Sequence, residues 1–226
     1  MKSVYLLPVF LILLAPCVQA LDAPNITFIP SMFSKDASVI AVADMGAAGS
    51  VRVSWRLLPS LDFGLIPKVD DKFYCYFSNS DPTSNCGPSP FTATTIGLDP
   101  YTFIVNAVDG LKQTSNASLQ FHTGSITLLP TTQLLDNTLK MVVAARGALP
   151  TRVKYSIYRV SDLSSLAVGR ELTYDITTDR FSGEEVLSTG EYYVAMWAYV
   201  GTESEPDDFG GDLLRVTVGE PVEEVV

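Results

Sequence analysis

Charge, histidine and cysteine are all scarce in this chain, and each scarcity removes a class of function. Charged residues make up 18% of the 226 positions, and 15 basic residues face 25 acidic ones. A net charge of −10 argues against a nucleic-acid binder, whose phosphates demand clustered cations. It also argues against docking on anionic lipid. The single histidine, His122, sits on a predicted terminal strand and reads as a half-exposed structural residue. Neither a Gly-x-Ser-x-Gly elbow nor a His-Glu-x-x-His pair is present, so hydrolysis has no recognisable machinery. After the first 20 residues no apolar run is long enough for a membrane span of about 20 residues.

Those first 20 residues are of a different kind. Lys2 provides a positive start, an apolar run broken only by Pro8 follows, and Val18-Gln19-Ala20 offers small residues before Leu21. The pattern predicts a cleaved signal peptide over 1–20 and a secreted or cell-surface product. A retained anchor is the weaker reading, because the run is short; a lipid anchor on Cys17 fits poorly after Pro16. Cleavage leaves Cys75 and Cys86, eleven positions apart. In an exported chain they predict one disulfide. Half of a metal site is the alternative, and it lacks partner ligands.

What the chain does have is an internal echo at an offset of 100 residues. Asn25-Ile26-Thr27-Phe28-Ile29-Pro30 returns as Ser125-Ile126-Thr127-Leu128-Leu129-Pro130, Arg52-Val53 as Arg152-Val153, and Trp55 as Tyr155. Each copy is a unit with its own core. Short β-type runs at roughly ten-residue spacing predict a sandwich in each. In the first copy strands are expected at 26–30, 38–44, 50–58, 72–78, 91–97, 101–108 and 117–123. In the second they are expected at 126–130, 138–145, 152–160, 172–176, 181–187, 191–200 and 213–218. Val51, Val53, Trp55 and Leu57 alternate, as do Tyr101, Phe103, Val105 and Ala107, so each set lines one core. The division is 21–124 for the first unit, 125–219 for the second and 220–226 for an acidic tail, read as a frayed linker or a strand-forming end. Almost nothing separates Gly124 from Ser125, and so short a joint predicts a stiff rod.

The residues from Phe73 to Thr123 resemble a prokaryotic extracellular immunoglobulin-like repeat. The matching positions are Cys75, Cys86, Ser89-Pro90-Phe91, Gly97-Leu98, Tyr101-Thr102-Phe103, Val105, Ala107, Asp109-Gly110, Leu119 and Phe121. Pro100 replaces the usual glycine before the aromatic strand. Val51-Arg52-Val53-Ser54-Trp55 and Leu98-Asp99-Pro100 are also similar to fibronectin type III domains. The resemblance implies two tandem immunoglobulin-like β-sandwiches, used as spacers, adhesins or enzyme attachments. It brings no catalytic residues with it.

Candidate contact residues lie mostly in the second copy. Tyr193, Trp197 and Tyr199 fall on one face of a strand, opposite the core-facing Tyr192. That row is either an outer contact face for a protein or glycan, or it is covered by a neighbouring loop or domain. Glu203, Glu205, Asp207, Asp208 and Asp212 are weak calcium candidates, since their spacing matches no known calcium loop. No other cofactor is expected. Asn25-Ile-Thr and Asn116-Ala-Ser are glycosylation sequons. The expected function is a secreted structural or adhesive module without catalysis, the second copy making contact and the first supporting it. The alternatives are a carbohydrate-binding accessory module, and a self-associating filament subunit donating residues 21–30 or the tail as a strand.

Overall fold

A computed structural model describes residues 21–46, 50–91 and 100–219. The predicted signal peptide, the strand expected at 91–97 apart from Phe91, and the tail at 220–226 lie outside the described residues. Among the described residues no helix is long and apolar enough to cross a membrane.

The protein is all-β, and its strands make two antiparallel sandwiches. The first contains β1 (Asn25–Ile29), β2 (Val39–Asp44), β3 (Val51–Leu58), β4 (Phe63–Ile66), β5 (Lys68–Val69), β6 (Lys72–Phe77), β7 (Tyr101–Asp109) and β8 (Thr114–Phe121). Its two sheets run β1-β2-β6-β5 and β4-β3-β7-β8. The second contains β9 (Thr127–Leu135), β10 (Thr138–Arg146), β11 (Arg152–Arg159), β12 (Ser165–Glu171), β13 (Thr173–Asp175), β14 (Arg180–Val186), β15 (Gly190–Gly201) and β16 (Pro206–Val218). Its sheets run β13-β14-β10-β9 and β12-β11-β15-β16.

The echo of the sequence is an echo of structure. Trp55 on β3 and Tyr155 on β11 both point inward and are buried. Asp36 and Asp136 both adopt positive φ, 62° and 53°. Asp136-Asn137 forms the two-residue turn between β9 and β10, where an Asp or Asn tolerates the left-handed conformation that hairpins need. In the first core Trp55 stacks on Phe103 and meets Phe77 edge-on. The Cys75–Cys86 disulfide ties β6 to the loop that follows it, across a Cα–Cα distance of 5.3 Å. Asn85 pins the same loop by accepting from the Tyr76 backbone N–H at 2.7 Å.

The expected rod does not form. The sandwiches fold back on each other and stack in four layers, β4-β3-β7-β8 outermost, then β1-β2-β6-β5, then β12-β11-β15-β16, then β13-β14-β10-β9. Between the middle two layers lies a third core of Ile40, Tyr74 and Tyr76 against Leu163, Tyr193, Ala195 and Leu213. The joint is short, but its backbone turns back instead of running on. Gly124 donates to the Phe33 carbonyl at 3.0 Å, and Ile126 donates to the Phe209 carbonyl at 3.1 Å. β16 begins seven residues earlier than expected, so much of the presumed acidic loop is strand. Its Gly210 and Gly211 sit where a Cβ would lie 1.7 Å from the Ile126 carbonyl oxygen and 2.1 Å from that of Met32. Only glycine permits that approach.

Candidate interaction surface

The sequence leaves the fate of the aromatic row of β15 open, and the packing around it decides it. Along β15 the residues Tyr192 to Tyr199 are all buried, on both faces of the sheet. Tyr192, Val194, Met196 and Ala198 fill the second core. Tyr193 points the other way, into the seam, where its ring lies 5.0 Å from that of Tyr76. Tyr74 completes that contact by donating its hydroxyl to the Val160 carbonyl at 3.1 Å. Burial pushes the Tyr74, Tyr76 and Tyr193 phenols up, so all three stay neutral.

Trp197 and Tyr199 are covered by their own unit. Glu203, in the β15–β16 connection, accepts from the Trp197 indole N–H at 3.0 Å and from Lys154 Nζ at 2.5 Å. The Lys154 ammonium lies 5.9 Å from the centre of the Tyr199 ring. The bond from Lys154 holds the Glu203 carboxyl below its usual range, and the Trp197 donor adds to this. With Trp197 only 9% exposed and Tyr199 only 4%, the row is no outer contact face. A domain covers one end and a charged loop the other, which corrects the expectation of a glycan or partner platform there.

The acidic candidates are dispersed among separate tasks. Asp208 accepts from the Ser125 hydroxyl at 2.5 Å and from its backbone N–H at 3.0 Å, fastening the joint. Burial works to raise its pKa, but these donors outweigh that and lower it. Asp212 crosses the seam to accept from the Ser38 N–H at 2.8 Å, and burial pushes its carboxyl up. Glu205 is exposed in the β15–β16 turn and Asp207 is exposed at the start of β16. Among the described residues no three cysteines, histidines or carboxylates gather as a metal site would require. His122 is exposed just beyond β8. Asn25 and Asn116 are exposed on β1 and β8, with Thr27 and Ser118 exposed beside them, so both sequons present their acceptor side chains.

A cleft opens along the seam. It holds about 390 Å³ and is lined by Tyr76, Asp81, Thr83, Glu191, Leu213 and Arg215. Arg215 bridges it, donating to Glu191 at 2.8 Å and to the Thr83 hydroxyl. These polar groups are satisfied by one another.

The outermost sheet is different. β4 is an edge strand of four residues, with Phe63 81% and Leu65 53% exposed. Neither side chain was flagged by alternation, since the strand itself is too short to show it. The seam had a clearer signal. Phe73-Tyr74-Cys75-Tyr76-Phe77 and the run from Tyr192 to Tyr199 lack polar alternation, which marks strands covered on both faces. One such strand in each copy is what two sandwiches packed sheet on sheet require.

No family profile and no curated protein matches this sequence. Solved structures do. The chain is similar to a two-domain fibronectin type III segment of chicken tenascin, at 10% identity and TM-score 0.29, over 87% of this chain and 99% of that one. It is similar to Dpr11 IG1 bound to DIP-gamma IG+IG2, at 10% identity and TM-score 0.30, over 88% and 99%. A structure of a bacterial ice-binding adhesin involved in host cell surface retention shares 9% identity at TM-score 0.29, over 89% and 65%. At such identities and TM-scores these likenesses carry no argument about role or partner.

Proposed function

We propose that this chain is a secreted or cell-surface structural module of two immunoglobulin-like units, adhesive and without catalysis. The observation that supports it is the third core. Three tyrosines with amphipathic side chains, Tyr74, Tyr76 and Tyr193, are used to close the two sandwiches into one body. The disulfide and the signal-like leader support export. Burial of Tyr193, Trp197 and Tyr199 removes the platform on which the carbohydrate-binding alternative rested. Protein recovered from the extracellular fraction of the native cell is expected to begin at Leu21 with Cys75 and Cys86 oxidised. Beads coated with it are expected to adhere saturably to that cell's surface. Cytosolic retention with reduced thiols, or turnover of a hydrolase substrate panel by the purified chain, would overturn the reading.

A further inference from the structure

We propose that the outward face of the β4-β3-β7-β8 sheet receives residues 220–226 of a second copy as a strand added along the edge of β4 that is unpaired among the described residues. The inference rests on the reading of the chain as a non-catalytic module and names its partner. Native edge strands are ordinarily blunted by charge, proline or bulges, because an unpaired apolar edge recruits other strands. β4 is only four residues long and Pro67 follows it, but within those residues it carries no charge, proline or bulge and exposes Phe63 and Leu65 on one side. Behind them on β3 stand Arg52 and Arg56, Arg56 directly opposite Phe63. Both arginines are exposed, and neither has an ion-pair partner among the described residues. No outward strand position on this sheet carries a carboxylate, although the chain as a whole has a net charge of −10.

The internal repeat shows what is missing. Arg152 of the second unit is the counterpart of Arg52, and it pairs with Glu171 on the neighbouring β12. Lys154 nearby pairs with Glu203. In the first unit β4 brings no acid to the arginines. A strand laid beside it would supply one. The tail is Glu220-Pro221-Val222-Glu223-Glu224-Val225-Val226; Pro221 cannot donate to a ladder, so the pairing stretch is Val222 to Val226, which has the required apolar and acidic composition. In an extended strand Val222, Glu224 and Val226 share a face. That sets a carboxylate between two apolar side chains, matching Phe63 and Leu65 with Arg56 behind them.

Chain length requires a second copy. The tail follows β16, in the third layer, whereas β4 belongs to the first. At about 10 Å per sheet-to-sheet spacing the tail must cross about 20 Å, and lie along about 13 Å of β4, while seven residues span only about 23 Å. The Asn116 sequon is on β8, three strands away across the sheet, so a glycan there leaves the β4 edge clear.

Two arms test this. A fluorescein-labelled peptide of residues 220–226 is titrated into the chain ending at Gly219. Saturable binding is expected, weakened at least tenfold by Arg52→Glu with Arg56→Glu and by Phe63→Ser with Leu65→Ser; these exposed substitutions leave folding intact. In parallel, sedimentation of the chain from Leu21 to Val226 is expected to show concentration-dependent association, lost on deleting 220–226. It should be restored when the Arg52→Glu, Arg56→Glu chain is mixed with one carrying Glu223→Lys and Glu224→Lys. Equal peptide binding by the face variants, association that survives the deletion, or a strict monomer at millimolar concentration that ignores the peptide would each overturn the proposal. Adhesion of coated beads is read separately, so failure here leaves the module reading standing or falling on its own assay.

Discussion

Replacing Gly211 with alanine adds one methyl group and should open the seam. The added Cβ would lie 2.1 Å from the Met32 carbonyl oxygen and 2.7 Å from that of Met196. Both are backbone atoms and cannot swing aside, so the facing layers must part by about 1 Å. A gap of about 0.5–1 Å forfeits a quarter to a half of the dispersion well between apolar atoms. Ile40, Tyr193 and Leu213 are buried in this seam, and at about 1.5–3 kcal/mol for each side chain the loss comes to about 1–4 kcal/mol. Small-angle scattering reads the result. Two units of about 100 residues, each with a radius of gyration near 13 Å, give about 16 Å overall when stacked about 20 Å apart. Swung end to end, with centres about 35 Å apart, they give about 22 Å. Gly211→Ala is expected to move the solution average toward the larger value while far-ultraviolet dichroism shows both sandwiches intact. Gly110→Ala is the control, because nothing lies within 4 Å of its Cβ position. A folded Gly211→Ala chain with an unchanged radius would refute the claim that this backbone contact holds the units together.

Other outcomes follow from the same contacts. Replacing Cys75 and Cys86 by alanine should cost about 3 kcal/mol in denaturant unfolding, the chain-entropy value for so short a loop. Tyr155 donates to Glu185 at 2.7 Å, and burial, reinforced by that carboxylate, pushes its phenol up to about 12. A raised folded pKa contributes stability that is whole below the unfolded value of 10.0 and is lost as pH rises toward 12, so Tyr155→Phe should flatten the alkaline fall in unfolding free energy. Glu203 has the opposite sign. Its lowered carboxyl contributes stability above the ordinary value of 4.5, lost as pH falls through the folded value, and Trp197 fluorescence should report an acid transition that Glu203→Gln abolishes.

Much of the fold was legible because alternation and the repeat agree. Trp55 and Tyr155 occupy the same inward position, and the runs containing Tyr101 and Tyr192 face their cores as expected. β4, β5 and β12 were missed for a physical reason. β4 and β5 are four and two residues long, too short for a period to register. In β12 the pattern is inverted, Ala167 being buried while Leu166 and Val168 are 42% and 67% exposed. The early start of β16 was hidden because Gly210-Gly211 reads as a turn, whereas those glycines serve close backbone approach. The seam is not visible from β15 alone; its partner surface is on β6, more than one hundred positions earlier, and a short joint carries no signal of its direction.

The stacking also decides how this molecule carries load. In a rod, tension between the ends passes through each sandwich in series and must unzip a sheet before anything lengthens. Here β1 and β16 lie in the two layers that face each other. Tension drawn between them shears the seam first. The body can then extend by about 15 Å, the difference between stacked and end-to-end centres, with every β-ladder intact. The third core would thus yield before either sandwich unzips.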